Sequence, residues 1–276
     1  MMNASTLTRG GRAGKRKAAP AIEGAARAGF TARGVIYLLV GLLALQIAFG
    51  GSGKQADQGG ALQEVAEKPF GGVVLWALGI GLVGMALWRL SEAVFGAAGP
   101  DGGKAKKRLA SAARAVFYGF VAYSVLSFAA GSSGSGSSDG KSRDATARAM
   151  ELPAGQWLVA AAGVGILCAG VWMVVQAARR KYHKHMRLGE MSHRVRRTVD
   201  VTGVGGGVAR GLVFAVAGGF ALRAAVEYEP DKAKGMDDTL RSFTETPVGP
   251  WLLVFIAVGL MLFGLFSFAM ARYRKV

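Results

Sequence analysis

The sequence predicts an all-α, polytopic membrane protein: six transmembrane helices, arranged as three parallel hairpin repeats that can close into a pseudo-threefold bundle. Three observations carry this reading. First, charge is absent from six runs, residues 34–49, 71–88, 115–131, 153–178, 211–222 and 246–271. A hydrocarbon core of ~30 Å takes about 17–25 helical residues, and the shorter runs reach that length once arginines snorkel at their ends. Second, the runs pair into copies that keep one register. Arg33, Arg114 and Arg210 open the copies, and four residues on stand Tyr37, Tyr118 and Phe214. The blocks Pro69-Phe70-Gly71, Pro153-Ala154-Gly155 and Pro247-Val248-Gly249 follow. Twelve residues past each proline comes Gly81, Gly165 or Gly259, and nineteen past it Trp88, Trp172 or Phe266. Third, basic residues sit on alternate loops. With an even number of spans both termini lie on one side, which holds 24 of the 34 Lys and Arg against 4 acidic residues. The three opposite loops hold 8 basic and 12 acidic residues, so the positive-inside rule puts both termini in the cytoplasm.

Taken in order, residues 1–24 are basic, rich in Gly and Ala and without hydrophobic periodicity, which predicts a disordered cytoplasmic tail. The first membrane hairpin, 25–95, opens with a span that resembles a signal peptide's apolar region. Its place in the repeat predicts that it is retained, because removal would orphan its partner from Val73 to Phe95. Between the two spans, Asp57 to Lys68 predicts a short interfacial helix with Leu62, Val65 and Ala66 on one face. The second hairpin, 107–177, is degenerate at that place and carries a Gly/Ser insert, residues 131–138, with the composition of a flexible linker. A basic cytoplasmic loop, 178–204, leads to the third hairpin, 205–274, where Leu240 precedes Pro247 by seven residues as Leu62 precedes Pro69.

The shared prolines are expected in the first turn of the even-numbered spans, where a missing N–H would be unpaired anyway. Small residues at four-residue spacing predict ridges on which helix backbones approach closely. They are Gly207, Gly211, Ala215 and Gly219 on the fifth span, Ala77, Gly81 and Met85 on the second, and Ala161, Gly165 and Ala169 on the fourth. Trp76, Trp157 and Trp251, near the outer ends of the even spans, predict an aromatic belt.

Ionisable residues at membrane depth are functional candidates by default. Arg33, Arg114 and Arg210 begin the odd spans; Arg89 and Glu92 lie one turn apart near the inner end of the second, and Arg223 lies at the outer end of the fifth. The hairpin return predicts contact between Arg33 and Glu92, and Arg223 is expected to pair with Glu227 or another outer acid. The plainer role for these groups is snorkelling to headgroups. His183, His185, His193 and Glu190 are interspersed with Arg and Lys, whose charge opposes a cation, so no metal site is expected. The run 203–207 lacks the third glycine of a dinucleotide fingerprint, Val208 standing in its place. The single cysteine, Cys168, allows no intramolecular disulfide and reads as a packing residue. No Ser–His–acid set and no paired aspartates occur inside a span, so neither catalytic residues nor a cofactor are expected, and the chain is not expected to be an enzyme. The clusters at 179–181 and 194–197 suit anionic lipid headgroups, and without a base-reading aromatic element they predict no nucleic-acid partner.

The residues 26–37, the segment from Leu62 through Pro69-Phe70-Gly71, and the closing Ala271-Arg272-Tyr273-Arg274 resemble bacterial domain-of-unknown-function family 1206. The resemblance covers about residues 25–275 and is weakest in the second copy, where Ala115 replaces a glycine. It implies a protein of the bacterial inner membrane and three tandem two-helix units, and transfers no functional residue. The expected role is structural, stress-related or accessory, with lipid or membrane-protein partners. The alternative is a small solute or anion transporter or channel with an inner ring of Arg33, Arg114 and Arg210.

Overall fold

The computed structural model describes residues 4–50, 55–96, 104–131, 138–245 and 249–275. Among them are nine α-helices: α1 Ala4–Ala48, α2 Gln58–Ala66, α3 Gly71–Phe95, α4 Ala105–Ala129, α5 Ser138–Met150, α6 Gly155–Ala178, α7 His193–Glu227, α8 Met236–Ser242 and α9 Gly249–Tyr273. Six of these, α1, α3, α4, α6, α7 and α9, are long and apolar enough to cross a membrane. They are the two spans of each repeat. The short helices α2, α5 and α8 sit between the spans of the first, second and third repeat, at what is called here the acidic end; the termini and basic loops form the basic end.

Two element boundaries move from those expected. α1 runs back to Ala4, through the segment expected to be a disordered tail, and takes in Pro20. α7 starts at His193 rather than 205, capped by the Ser192 hydroxyl, which accepts from the Val195 N–H at 3.4 Å. The second repeat is less degenerate than its sequence suggests, since α5 occupies the place of α2 and α8. Most of its Gly/Ser insert lies outside the described residues.

The spans follow one another round a ring. Hairpin partners α1–α3 and α7–α9 pack together, and successive repeats join through α3–α4, α6–α7 and α9–α1. The threefold order is broken at one place: α4 and α6, the two spans of the second repeat, make almost no contact. Small residues set the close approaches. A Cβ on Gly84 would lie 2.7 Å from the Ala25 carbonyl oxygen, and one on Gly211 2.8 Å from that of Gly170. On α6 the packing glycines are Gly163 and Gly170, both buried against α7, whereas Ala161, Gly165 and Ala169 are exposed. On α3, Gly81 packs against α1 as expected, while Ala77 faces outward. On α7, Gly218 meets α6 where Gly219 meets nothing. Trp76, Trp157 and Trp251 all face outward, as a belt requires.

The Pro-x-Gly blocks form corners rather than helix starts. α3 and α6 begin at the glycines Gly71 and Gly155, and the residues before them, Phe70 and Ala154, adopt left-handed backbone with φ of 63° and 60°. The prolines stand one residue earlier, outside the helix; Pro247 and Val248 lie outside the described residues. Each glycine abuts the carbonyl oxygen six residues before it: Gly71 that of Val65, Gly155 that of Ala149 and Gly249 that of Phe243. The corner folds each short helix back onto the bundle. Leu62 and Leu240 are thereby fully buried, and Ala61 rather than Ala66 joins Leu62 and Val65 in the core.

At the acidic end, α5 and α8 meet through carboxylates. Asp139 accepts the Asp238 N–H at 3.1 Å, Asp237 accepts the Ala56 N–H at 2.6 Å, and Arg241 and Arg143 pair with Asp237 and Asp238. Burial raises the Asp139 pKa, and the nearby charges of Asp238, Asp237 and Asp57 add to the rise. A carboxyl with a raised folded pKa loses stability for the fold as pH climbs from its unfolded value through the folded one. Asp139→Asn keeps an acceptor without the charge. It is expected to raise the unfolding temperature in detergent at pH 7, and the gain should disappear near pH 4; equal gains at both pH values would refute the assignment.

Candidate functional site: an arginine-lined chamber

Arg33, Arg114 and Arg210 lie fifteen, fifteen and seventeen residues before Ala48, Ala129 and Glu227, the acidic-end termini of their helices. At ~1.5 Å per residue that is ~23–26 Å along each helix, one common depth near the basic end. All three line a cavity of about 400 Å³, together with Arg89, Lys181 and Arg274. The repeat register therefore converges in space.

Aromatic faces hold most of these cations. Phe263 lies between two of them, with the Cζ of Arg33 at 5.1 Å and that of Arg210 at 4.9 Å from its centroid. Arg210 also stands over Phe214 and Tyr37, at 5.2 and 5.6 Å. Arg89 and Arg274 share Trp88, at 4.1 and 4.8 Å. Tyr37, Phe214 and Trp88, three of the aromatic positions in the repeat register, are thus platforms for arginines, each contact contributing ~0.5–2 kcal/mol. Arg33 is further fixed by its Nε, which donates to the Ser267 hydroxyl at 3.1 Å, and by Nη1, 3.5 Å from the Tyr118 hydroxyl.

Carboxylates are scarce here. Glu92 accepts from Arg89 at 2.7 Å and from the Ser111 hydroxyl at 3.3 Å. Among the described residues it is the one acid paired with an arginine of the chamber. The expected Arg33–Glu92 contact does not form. Glu92 lies twenty-one residues from the acidic-end start of α3, so it sits ~9 Å closer to the basic end than Arg33. Arg114 is exposed and without an ion pair among the described residues. The Nε atoms of Arg89, Arg210 and Arg274 are buried without a hydrogen-bond partner. Arg223 stands apart at the acidic end and pairs with Glu227 at 2.7 Å, as expected.

The chamber floor comes from segments that sequence spacing does not place. The Arg187 N–H donates to the Tyr273 carbonyl at 2.8 Å and the Lys275 N–H to that of His185 at 2.9 Å, tying the chain's end to the loop before α7. Asp200 is taken up by His183 and Tyr182, and Tyr182 packs edge-on against Phe266 with centroids 4.9 Å apart. Burial lowers the His185 pKa, and the Arg274 charge lowers it further. In the sequence Arg274 stands out only within the closing block 271–274, and Lys181 only as part of a basic cluster. Gly203 and Gly206 pack inside α7 against Tyr182, Phe266 and Phe263, which gives the glycine run a steric role.

A family model described as "Domain of Unknown Function (DUF1206)" matches residues 28–96, 109–180 and 205–274, one segment per repeat. The chain is also 28% identical to "Uncharacterized protein YxxB" of Bacillus subtilis (strain 168), over 95% of this chain and 94% of that protein. No solved structure matches.

Proposed function

We propose, for a chain that belongs to the DUF1206 family, that the arginine chamber binds an anionic group close to the membrane surface. Its role is non-enzymatic: a structural or accessory component of the bacterial cell membrane that works through lipid or membrane-protein contacts. The loop charges support a cytoplasmic location for both termini and for the chamber. The reading rests on one observation, an excess of arginine around a cavity in which three Nε atoms are buried and unpaired. Burying unmatched charge is costly, and a bound anion would remove that cost.

Convergence of Arg33, Arg114 and Arg210 also fits an anion transporter. Toward the acidic end, however, the bundle is filled by Val40, Leu43, Leu253, Ile256 and Leu260, all buried, which supports holding rather than conduction. Inorganic phosphate titrated into detergent-solubilised protein should raise its unfolding temperature, and Arg274→Gln should weaken that response about tenfold. An unchanged response in the variant would overturn the assignment, and phosphate flux in proteoliposomes would favour the transporter.

A further inference from the structure

The sparse contact between α4 and α6 leaves a gap in the wall of the chamber. Above it, toward the acidic end, the gap widens into a second cavity of about 600 Å³ between α4, α6 and α7, capped by α5 and by the residues leading into α8. Its lining is mostly apolar: Leu158, Ala162 and Ile166 of α6, and Val213 and Phe214 of α7, lie with Phe117 of α4, and Ser142, Thr146 and Lys234 stand at the capped end. Phe117 lines both cavities, so the apolar slot and the arginine chamber adjoin. Leu158, Ala162 and Ile166 are exposed, and the slot opens sideways where a bilayer would lie.

We infer that this pair of cavities is a binding site for one anionic phospholipid, with its phosphate among the arginines and an acyl chain in the slot between α4 and α6. The inference rests on the anion-binding reading and gives the anion a source. Three features select a lipid over a free anion. The chamber depth is that of an inner-leaflet headgroup, since its arginines stand ~23–26 Å below the acidic-end helix termini, against a hydrocarbon thickness of ~30 Å. The apolar cavity continues from the cationic one toward the midplane, as a chain continues from its headgroup. The entrance is lateral, so a lipid can enter without leaving the membrane. Lys181, over the exposed Trp172 ring at 4.7 Å, lines the chamber as a further cation for the headgroup.

The test uses the full chain, delipidated in detergent, with three probes: phosphatidylglycerol, phosphatidylcholine and inorganic phosphate. Phosphatidylglycerol should bind at one per chain and at least tenfold more tightly than phosphatidylcholine, by native mass spectrometry. Ala162→Trp fills the slot from an exposed position; it should weaken phosphatidylglycerol about tenfold while leaving phosphate binding unchanged. Arg114→Gln, also at an exposed position, should weaken both. Equal binding of the two lipids, or an Ala162→Trp variant with wild-type affinity for phosphatidylglycerol, overturns the lipid site and leaves the anion reading standing if phosphate still binds. Failure of the wild type to bind either phosphatidylglycerol or phosphate overturns both.

Discussion

Glu92→Gln is expected to destabilise the purified protein by about 3 kcal/mol, the low end of what removing one partner of a buried ion pair costs. The pair it breaks is well shielded, with the side chains of Arg89 and Glu92 only 8% and 11% exposed and 2.7 Å apart. Arg89 would keep its place over Trp88 but lose its carboxylate, in a neighbourhood already holding Arg274 and Arg114. The same substitution removes the carboxylate that, among the described residues, pairs with an arginine of the chamber. Thermal unfolding in detergent should therefore show a large loss, while phosphate affinity stays at or above wild type. A stable variant would mean that the pair contributes little, and lost phosphate binding would mean that Glu92 shapes the site in some other way.

Gly71→Ala is the second large effect, expected to cost ~3 kcal/mol, at the upper end for overpacking. A methyl there meets the Val65 carbonyl oxygen and would lie 3.0 Å from the Ala66 Cα, and both are backbone of a helix that cannot give way alone. The neighbouring Gly72 supplies the control: nothing lies within 4 Å of its Cβ position, so Gly72→Ala should be neutral or stabilising by up to ~1 kcal/mol through helix propensity. Gly155 repeats the geometry in the second repeat, and Gly155→Ala should behave like Gly71→Ala. If both glycines accept alanine, the corner is not what keeps the block in step.

What the sequence shows of this protein divides along a physical line. Spans, repeat number and the depth of the arginines follow from periodicity and exclusion of charge, which are local. The Pro-x-Gly block is equally visible, but its spacing points to the proline whereas the glycine carries the steric demand, because that demand comes from a carbonyl six residues back. Rotational setting is harder still. Four-residue spacing on α6 is satisfied by 161, 165 and 169, yet Gly163 and Gly170 face α7, and only the position of a neighbour distinguishes the two faces. The site was half legible for the same reason. Arg33, Arg114 and Arg210 were marked by the repeat, whereas Arg274, Lys181 and Tyr182 reach the chamber through tertiary closure of the loop against the chain's end.

The near-absence of contact between α4 and α6 has a mechanical consequence. Since α4 packs on α3 and α6 on α7, the second repeat is not a unit; its two spans belong to opposite halves, α1–α3–α4 and α6–α7–α9, which meet along α1 and α9. The molecule is then two three-helix leaves with a spine at α1–α9 and a free edge at the second repeat. Gly165, on that edge, has no neighbour within 4 Å of its Cβ position. The α1–α9 seam is packed more extensively than α1–α3 or α7–α9, so it is this central pair that joins the leaves while the second repeat leaves their outer edges unjoined.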